Sequence, residues 1–235
     1  MGKPGTLVLF DIDGTLIDTG GAGLKALEAG FFEAFPELAG AAFPELDLGG
    51  ATDGGLIQRL FPAFGIEISD SSQERFFQAY LNALDQDLST FKALGKARLL
   101  PGASALVARL GEEPNRYYQG LLTGNLERGA RIKLAQFGLS EALLPGAFGD
   151  DHSDRNRLGP IALERAETYF GRAFDRDSVF IIGDTVKDIA CARAAGFRVI
   201  AVATGASRKE SLALENPDGL VDDLHDIESV LALMQ

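Results

Sequence analysis

The sequence predicts an α/β fold in which a Rossmann-like parallel sheet is flanked by helices and carries an all-helical insertion. Residues 6–10 form an uninterrupted apolar run, which is typical of a strand buried on both faces of a parallel sheet. Strand and helix patterns alternate again from residue 99 onward, whereas residues 18–98 show only helical spacing. We therefore predict an α/β core formed by residues 1–17 and 99–235, with residues 18–98 inserted into it.

The composition of the chain indicates which binding partners and which cellular compartment to expect. The chain has 235 residues and a formal net charge of −12, so we expect neither nucleic acid nor an anionic membrane as its main partner. No apolar stretch approaches the roughly 18 residues that a membrane helix needs. Cys191 is the single cysteine, so no intrachain disulfide can form and a reducing, cytoplasmic location is expected.

Helical spacing dominates the insertion. Apolar residues recur at helical intervals over residues 24–35, and Pro36 ends the run. Thr52 is a candidate cap for a second helix. Ser71 and Glu74 have the spacing of a capping box and predict the start of a third, longer helix. We interpret the aromatic residues of these helices as the insertion's own core.

The rest of the chain alternates between strands and helices. The predicted strands cover residues 117–122, 179–182, 199–202 and a short segment near 220–221. The predicted helices cover residues 126–137, 160–170 and a segment that ends near residue 195, where Gly196 follows. Helices thus connect successive strands, as parallel pairing requires.

Polar residues follow three of the predicted strands. They are Asp11 and Asp13, then Thr123 and Asn125, and finally Asp184 and Asp188. Because the carboxyl ends of parallel strands lie on one edge of a sheet, residues far apart in the chain can meet there. Strand alternation turns Asp11 and Asp13 to the same side, where two carboxylates repel unless a cation or a shared proton relieves them. A divalent metal is the simplest such cation.

These motifs resemble those of the haloacid dehalogenase superfamily of phosphohydrolases. The matches are DxDGT at residues 11–15, TGN at 123–125 and GDTxxD at 183–188. The insertion at residues 18–98 resembles the helical cap of that family, so the resemblance covers essentially the whole chain. It implies a Mg²⁺-dependent phosphohydrolase that forms an aspartyl-phosphate.

The resemblance also implies catalytic roles, residue by residue. Asp11 would be the nucleophile that attacks phosphorus, and Asp13 would protonate the leaving group and then activate water. Thr123 and the amide of Gly124 or Asn125 would hold the phosphate oxygens. Taken by themselves, Thr123 and Asn125 could instead only cap the next helix.

The same resemblance implies a set of metal ligands. Asp11, the main-chain carbonyl of Asp13 and Asp184 would bind Mg²⁺, and Asp188 would support the metal site. Oxygen ligands together with a substrate phosphate are what this hard cation prefers. Asp188 has a second interpretation as a solvated helix residue.

One part departs from the family pattern. The family's third motif is a Lys or Arg that balances the charge of the nucleophile and the phosphate, often a lysine just before a proline. The corresponding segment here, residues 153–166, contains no lysine. Arg155 or Arg157 would have to serve, and Arg155 is favoured. If neither reached the site, catalysis should be poor.

The predicted function is hydrolysis of a small phosphorylated metabolite by an enzyme of phosphoglycolate phosphatase type. Asp13 favours phosphate ester hydrolysis, because the dehalogenases and phosphonatases of the family lack an aspartate there. A sugar-phosphate mutase is the alternative, although the histidine typical of mutases is absent between residues 14 and 98. A non-catalytic binding protein is a second alternative, but clustered acids are costly without a metal. A monomer and a homodimer are both left open.

The loop at residues 49–53 (GGATD) resembles the cap loop that faces the site in such enzymes. Thr52 and Asp53 are therefore candidates for substrate binding, although capping of the following helix explains them equally well. A helical cap that closes over the site would exclude water and favour small substrates.

Overall fold

A computed structural model describes residues 5–235 of the chain. Its strands are β1 Thr6–Phe10, β2 Ile17–Asp18, β3 Arg98–Leu99, β4 Tyr117–Leu122, β5 Gly146–Ala147, β6 Val179–Gly183, β7 Arg198–Val202 and β8 Gly219–Val221. Its helices are α1 Ala22–Ala34, α2 Asp53–Ala63, α3 Asp70–Ala93, α4 Ala103–Gly111, α5 Glu127–Gln136, α6 Leu158–Phe170, α7 Val186–Ala195, α8 Lys209–Leu214 and α9 Ile227–Leu233. Among these helices, none combines the length and apolarity needed to cross a bilayer.

Six strands form one parallel sheet in the order β5-β4-β1-β6-β7-β8. Strand β1 lies between β4 and β6, with Phe10 paired to Leu121 on one side and to Ile182 on the other. The three strands therefore end side by side, which brings the polar residues that follow them to one edge.

Apolar cores cover both faces of the sheet. Val8 and Phe10 belong to a cluster that includes residues of α4, α5 and α9. Leu7 and Leu9, which alternate with them, belong to a second cluster with residues of α6, α7 and α8. Helices thus flank a sheet whose central strand is fully buried, which confirms the predicted fold class.

The segment between β2 and β3 contains α1, α2 and α3 and has its own aromatic core. The ring of Phe31 lies 4.8–6.1 Å from the rings of Phe35, Phe43, Phe64 and Phe76. Strands β2 and β3 pair antiparallel, so the chain leaves and re-enters the sheet region through neighbouring segments. These two strands were not predicted, because two residues are too short to show a period.

Two predicted helix starts differ from the structure. The capping box at Ser71 and Glu74 is wrong, because Ser69 caps α3 and exchanges hydrogen bonds of 3.0 and 3.2 Å with Ser72. Several capping residues are consecutive there, and spacing alone does not select among them. Helix α6 begins at Leu158 and not at Pro160, since the first turn tolerates a proline that lacks an N–H group.

Candidate active site

The carboxyl ends of β1, β4 and β6 open into a cavity of about 260 Å³ between the sheet edge and the helical insertion. Asp11, Asp13, Thr123, Asn125 and Asp184 all line this cavity. The structure therefore brings together side chains that are more than a hundred residues apart in the sequence. The volume of the cavity lies just below the range of about 300–1,000 Å³ that is typical of ligand pockets.

Asp11 lies at the base of the cavity beside Arg155. The two side chains are buried, and Nη2 of Arg155 is 3.1 Å from Oδ1 of Asp11. Burial raises the pKa of Asp11 to about 6, an effect that the guanidinium of Arg155 opposes and nearby carboxylates increase. Arg157, the other candidate cation, is exposed. Of the two arginines, Arg155 is the one that contacts the carboxylates.

Asp184 lies opposite Asp11 and is held by two hydrogen bonds. Its Oδ2 accepts from the N–H group of Ala206 at 2.8 Å, and its Oδ1 accepts from the hydroxyl of Thr15 at 3.2 Å. Burial, together with the neighbouring carboxylates, raises the pKa of Asp184 to about 8. Gly14 has a φ of +80°, and a Cβ atom there would lie 2.5 Å from Oδ2 of Asp184. A larger residue at position 14 would displace this carboxylate.

Asp188 is fully buried, so its interpretation as a solvated helix residue is wrong. Its Oδ2 accepts from the N–H group and the hydroxyl of Thr185 at 3.0 and 2.7 Å, in the capping box of α7. Its Oδ1 accepts from Nη2 of Arg155. Asp188 therefore holds the same guanidinium group that contacts Asp11.

The donor set fits a hard divalent cation. Carboxylate oxygens of Asp11, Asp184 and Asp188 lie within 4.8 Å of one another. In residues 5–235, Arg155 is the one basic side chain in an ion pair with these carboxylates, so the cluster keeps an excess of negative charge. Oxygen ligands in this arrangement are typical of Mg²⁺ sites. The carboxylate of Asp13 lies outside this cluster.

Asp13 is held by a network that the sequence analysis missed. Its carboxylate accepts from Nζ of Lys133 at 2.7 and 2.8 Å and from Nδ2 of Asn125 at 2.7 Å. Lys133 also donates to Oδ1 of Asn125 at 2.6 Å, and Asn125 donates to the hydroxyl of Thr123 at 2.8 Å. One ammonium group thus orients both Asp13 and Asn125.

A signal for Lys133 was present in the sequence. This lysine lies three residues after Ala130 and just before Leu134, on the face that α5 buries. It is only 4% exposed. A lysine on an apolar helix face is costly to bury unless it is paired, and this cost points to an acidic partner.

The insertion contacts the loop after β4 very closely. The N–H group of Asp53 donates to the carbonyl of Gly124 at 2.7 Å, and Oδ2 of Asp53 accepts from the N–H group of Leu126 at 2.8 Å. A Cβ atom at Gly124 would lie 1.8 Å from the carbonyl oxygen of Ala51. Only glycine therefore permits this approach of the two backbones.

Thr52 and Asp53 have different surroundings. Thr52 caps α2 by accepting from the N–H group of Gly55 at 3.0 Å, and its hydroxyl donates to the carbonyl of Ser153 at 2.6 Å. Its side chain does not line the cavity, whereas that of Asp53 does. Burial is the main cause that raises the pKa of Asp53 to about 6.

Comparisons with known proteins identify the family. The HAD-hydrolase-like family model matches residues 156–227. A phosphoglycolate phosphatase from Rhodospirillum rubrum is 30% identical over 88% of this chain and 83% of its own length. The chain belongs to the haloacid dehalogenase superfamily. The curated relatives also indicate a phosphatase, which confirms the predicted enzyme class.

Further comparisons agree with this family. An N-acetylmuramic acid 6-phosphate phosphatase from Pseudomonas putida is 29% identical over 84% of this chain and 82% of its own length. The crystal structure of a hydrolase from Pseudomonas syringae matches with a TM-score of 0.68 and 22% identity over 97% of this chain and 98% of that one. This last similarity concerns the fold alone.

The haloacid dehalogenase phosphatase described here has two carboxylates with different surroundings in one cavity. Asp11 is deeply buried beside a guanidinium and two further carboxylates. Asp13 is less buried and is bonded to an ammonium and an amide. Two neighbouring acids in different environments can take different roles, such as nucleophile and acid–base catalyst.

Proposed function

We propose that this protein is a Mg²⁺-dependent phosphatase that cleaves a small phosphomonoester through an aspartyl-phosphate on Asp11. The observation that supports this most directly is the cluster of Asp11, Asp184 and Asp188, whose oxygens lie within 4.8 Å of one another at the base of the cavity. The relatives named phosphoglycolate phosphatase support a small phosphorylated metabolite as substrate.

In this proposal, a carboxylate oxygen of Asp11 attacks phosphorus while the bond from phosphorus to the ester oxygen breaks. Asp13 gives its proton to the departing oxygen and later takes a proton from the water that attacks the aspartyl-phosphate. Lys133 and Asn125 hold the carboxyl group of Asp13 in one orientation for both steps.

Other groups of the site would bind the phosphate and the metal ion. Thr123 and the amide of Gly124 or Asn125 bind phosphate oxygens, and Arg155 balances the charge of Asp11. Asp11, the main-chain carbonyl of Asp13 and Asp184 would hold Mg²⁺, which would supply positive charge to offset the negative charge of the nucleophile and the phosphate. Asp188 would support this site by holding Arg155.

The helical insertion, residues 18–98, is in our proposal a cap that closes the cavity. Its contacts with the loop after β4, through Asp53, and with Ser153, through Thr52, are the interactions that opening would break. Closure would exclude water from the nucleophile during attack and confine the substrate to small molecules.

The test is phosphate release from p-nitrophenyl phosphate, with and without Mg²⁺, by the wild type and by Asp11→Asn. We expect metal-dependent release that falls by about 10³-fold or more in the variant. Asp222→Asn, which changes an exposed surface aspartate of the core, is the control and should keep full activity. Absence of release by a folded, Mg²⁺-loaded wild type would refute the proposal.

A further inference from the structure

The wall that the insertion contributes to the cavity is mainly apolar, and none of its described side chains is basic. We define this insertion wall by Leu24, Leu27, Leu48, Leu56, Tyr80 and Asp53. Glycine, alanine and threonine residues of the insertion complete the lining. Among the described residues that line the cavity from the insertion, none is Lys, Arg or His, and Asp53 is the only charged one.

Among the described residues of the core, two cations line the cavity, and both already bind core side chains. Lys133 is 4% exposed, and its ammonium bonds to both oxygens of Asp13 and to the amide oxygen of Asn125. Arg155 is 6% exposed and forms ion pairs with Asp11 and Asp188. Both cations therefore already bind side chains of the core.

Two further basic side chains lie close by, but in another cleft. Arg59 and Lys187 line a separate depression on the other side of residues 50–52 and do not line the cavity. Nζ of Lys187 is 3.2 Å from Oδ2 of Asp47 and donates to the carbonyl of Gly49 at 2.5 Å. Lys187 therefore binds Asp47 and Gly49 and does not line the cavity.

This distribution of charge determines which alcohol part of a substrate the cavity can accommodate. With its phosphate held between Asp11 and Thr123, a small monoester would extend its alcohol part toward the insertion wall. A carboxylate in that position would leave water, face apolar side chains and lie near the negative charge of Asp53. Burying an unpaired charge is unfavourable, and a like charge nearby adds to the cost.

We infer that the alcohol part of this phosphatase's substrate is uncharged and largely apolar. The inference rests on the proposed function and narrows its substrate class. It separates this protein from the relatives that are named phosphoglycolate phosphatase, because the glycolate part of phosphoglycolate carries a carboxylate.

The test compares matched phosphomonoesters with Mg²⁺ present. Phosphoglycolate and its carboxamide differ by one charge at nearly equal size, and butyl phosphate removes the polar group altogether. We expect kcat/KM for the amide and for butyl phosphate to be at least about tenfold above that for phosphoglycolate. Equal or higher kcat/KM for phosphoglycolate would overturn the inference.

Two variants change the charge of the insertion wall in a controlled way. Leu24 is 43% exposed, so Leu24→Lys should fold and add the missing cation, which should raise kcat/KM for phosphoglycolate several-fold relative to the amide. Leu24→Met is its uncharged control. Asp53→Asn should also raise kcat/KM for phosphoglycolate relative to that for the amide. Asp47→Asn, which changes a residue outside the cavity, should leave this ratio unchanged. Unchanged ratios in both Leu24→Lys and Asp53→Asn would also overturn the inference.

Failure of this inference can be distinguished from failure of the proposed function. If p-nitrophenyl phosphate is hydrolysed with Mg²⁺ but phosphoglycolate is preferred over its amide, only the inference is wrong. If the folded, Mg²⁺-loaded protein releases phosphate from no monoester, the proposed function is wrong and the inference is overturned with it.

Discussion

The two halves of the cavity differ in how their side chains are held. On the core side, Asp11, Arg155 and Asp184 are buried ionisable groups, and each is fixed by ion pairs or hydrogen bonds. On the insertion side, leucines and Tyr80 form an apolar wall in which Asp53 is the one charged group. In our proposal the core half performs the reaction at phosphorus, and the insertion half selects the alcohol attached to it.

The largest effect on stability is expected from the loss of Arg155, the cation that pairs with Asp11 and Asp188 in the core half. Arg155→Met should leave Asp11 and Asp188 without their partner and destabilise the fold by about 3–5 kcal/mol, the range for breaking a buried ion pair. Urea unfolding of the metal-free protein measures this change. Arg155→Lys should recover part of it, because one ammonium keeps the charge but loses the fork geometry. A loss under 1 kcal/mol in Arg155→Met would contradict the assignment.

Removing the ammonium that orients Asp13 should act mainly on the rate. For Lys133→Met we expect kcat to fall by about 10²-fold with little change in KM, because Asp13 loses the group that holds it. Steady-state kinetics with p-nitrophenyl phosphate provide the measurement. Lys209→Met changes a lysine in an exposed ion pair and is the control. Equal kcat in Lys133→Met and the wild type would rule out this positioning role.

The contact between the two halves can be tested at one glycine. Gly124→Ala would place a methyl group 1.8 Å from the carbonyl oxygen of Ala51, so the backbones must separate, at a cost of about 1–3 kcal/mol. We expect lower activity on every substrate and a lower free energy of unfolding. Gly111→Ala is the control, since its nearest contact would be 3.8 Å away. Normal activity and stability in Gly124→Ala would contradict the close approach.

The smallest expected effect is the contribution of Asp53 to the pH dependence of stability. Burial raises the pKa of this carboxyl to about 6 from its ordinary 3.8, so the folded protein binds the proton more tightly than the unfolded chain. The charged carboxylate therefore destabilises the fold above pH 6, and this cost disappears as the pH falls toward 4. Asp53→Asn should be more stable than the wild type at pH 7 by about 1 kcal/mol, with little difference near pH 4. Urea unfolding of both proteins at several pH values tests this, and a difference independent of pH would refute it.

Much of the fold followed from local patterns. The run at residues 6–10 marks β1, and TGN and GDTVKD mark the ends of β4 and β6. The parallel sheet then follows from strands that alternate with helices. Elements without such a pattern were missed: β2, β3 and β5 have two residues each, which is too short to show a period.

The sequence by itself determined which strand ends carry carboxylates, because a buried apolar run followed by acidic residues is a local signal. Only the tertiary structure decided which cations meet them. Lys133 reaches Asp13 across 120 positions, and Arg155 rather than Arg157 contacts Asp11, because helix packing turns one long side chain inward and leaves the other exposed. The same holds for the insertion wall, whose charge depends on which side chains the packed helices turn toward the cavity. Such distances are set by packing between elements, and spacing along the chain does not encode them.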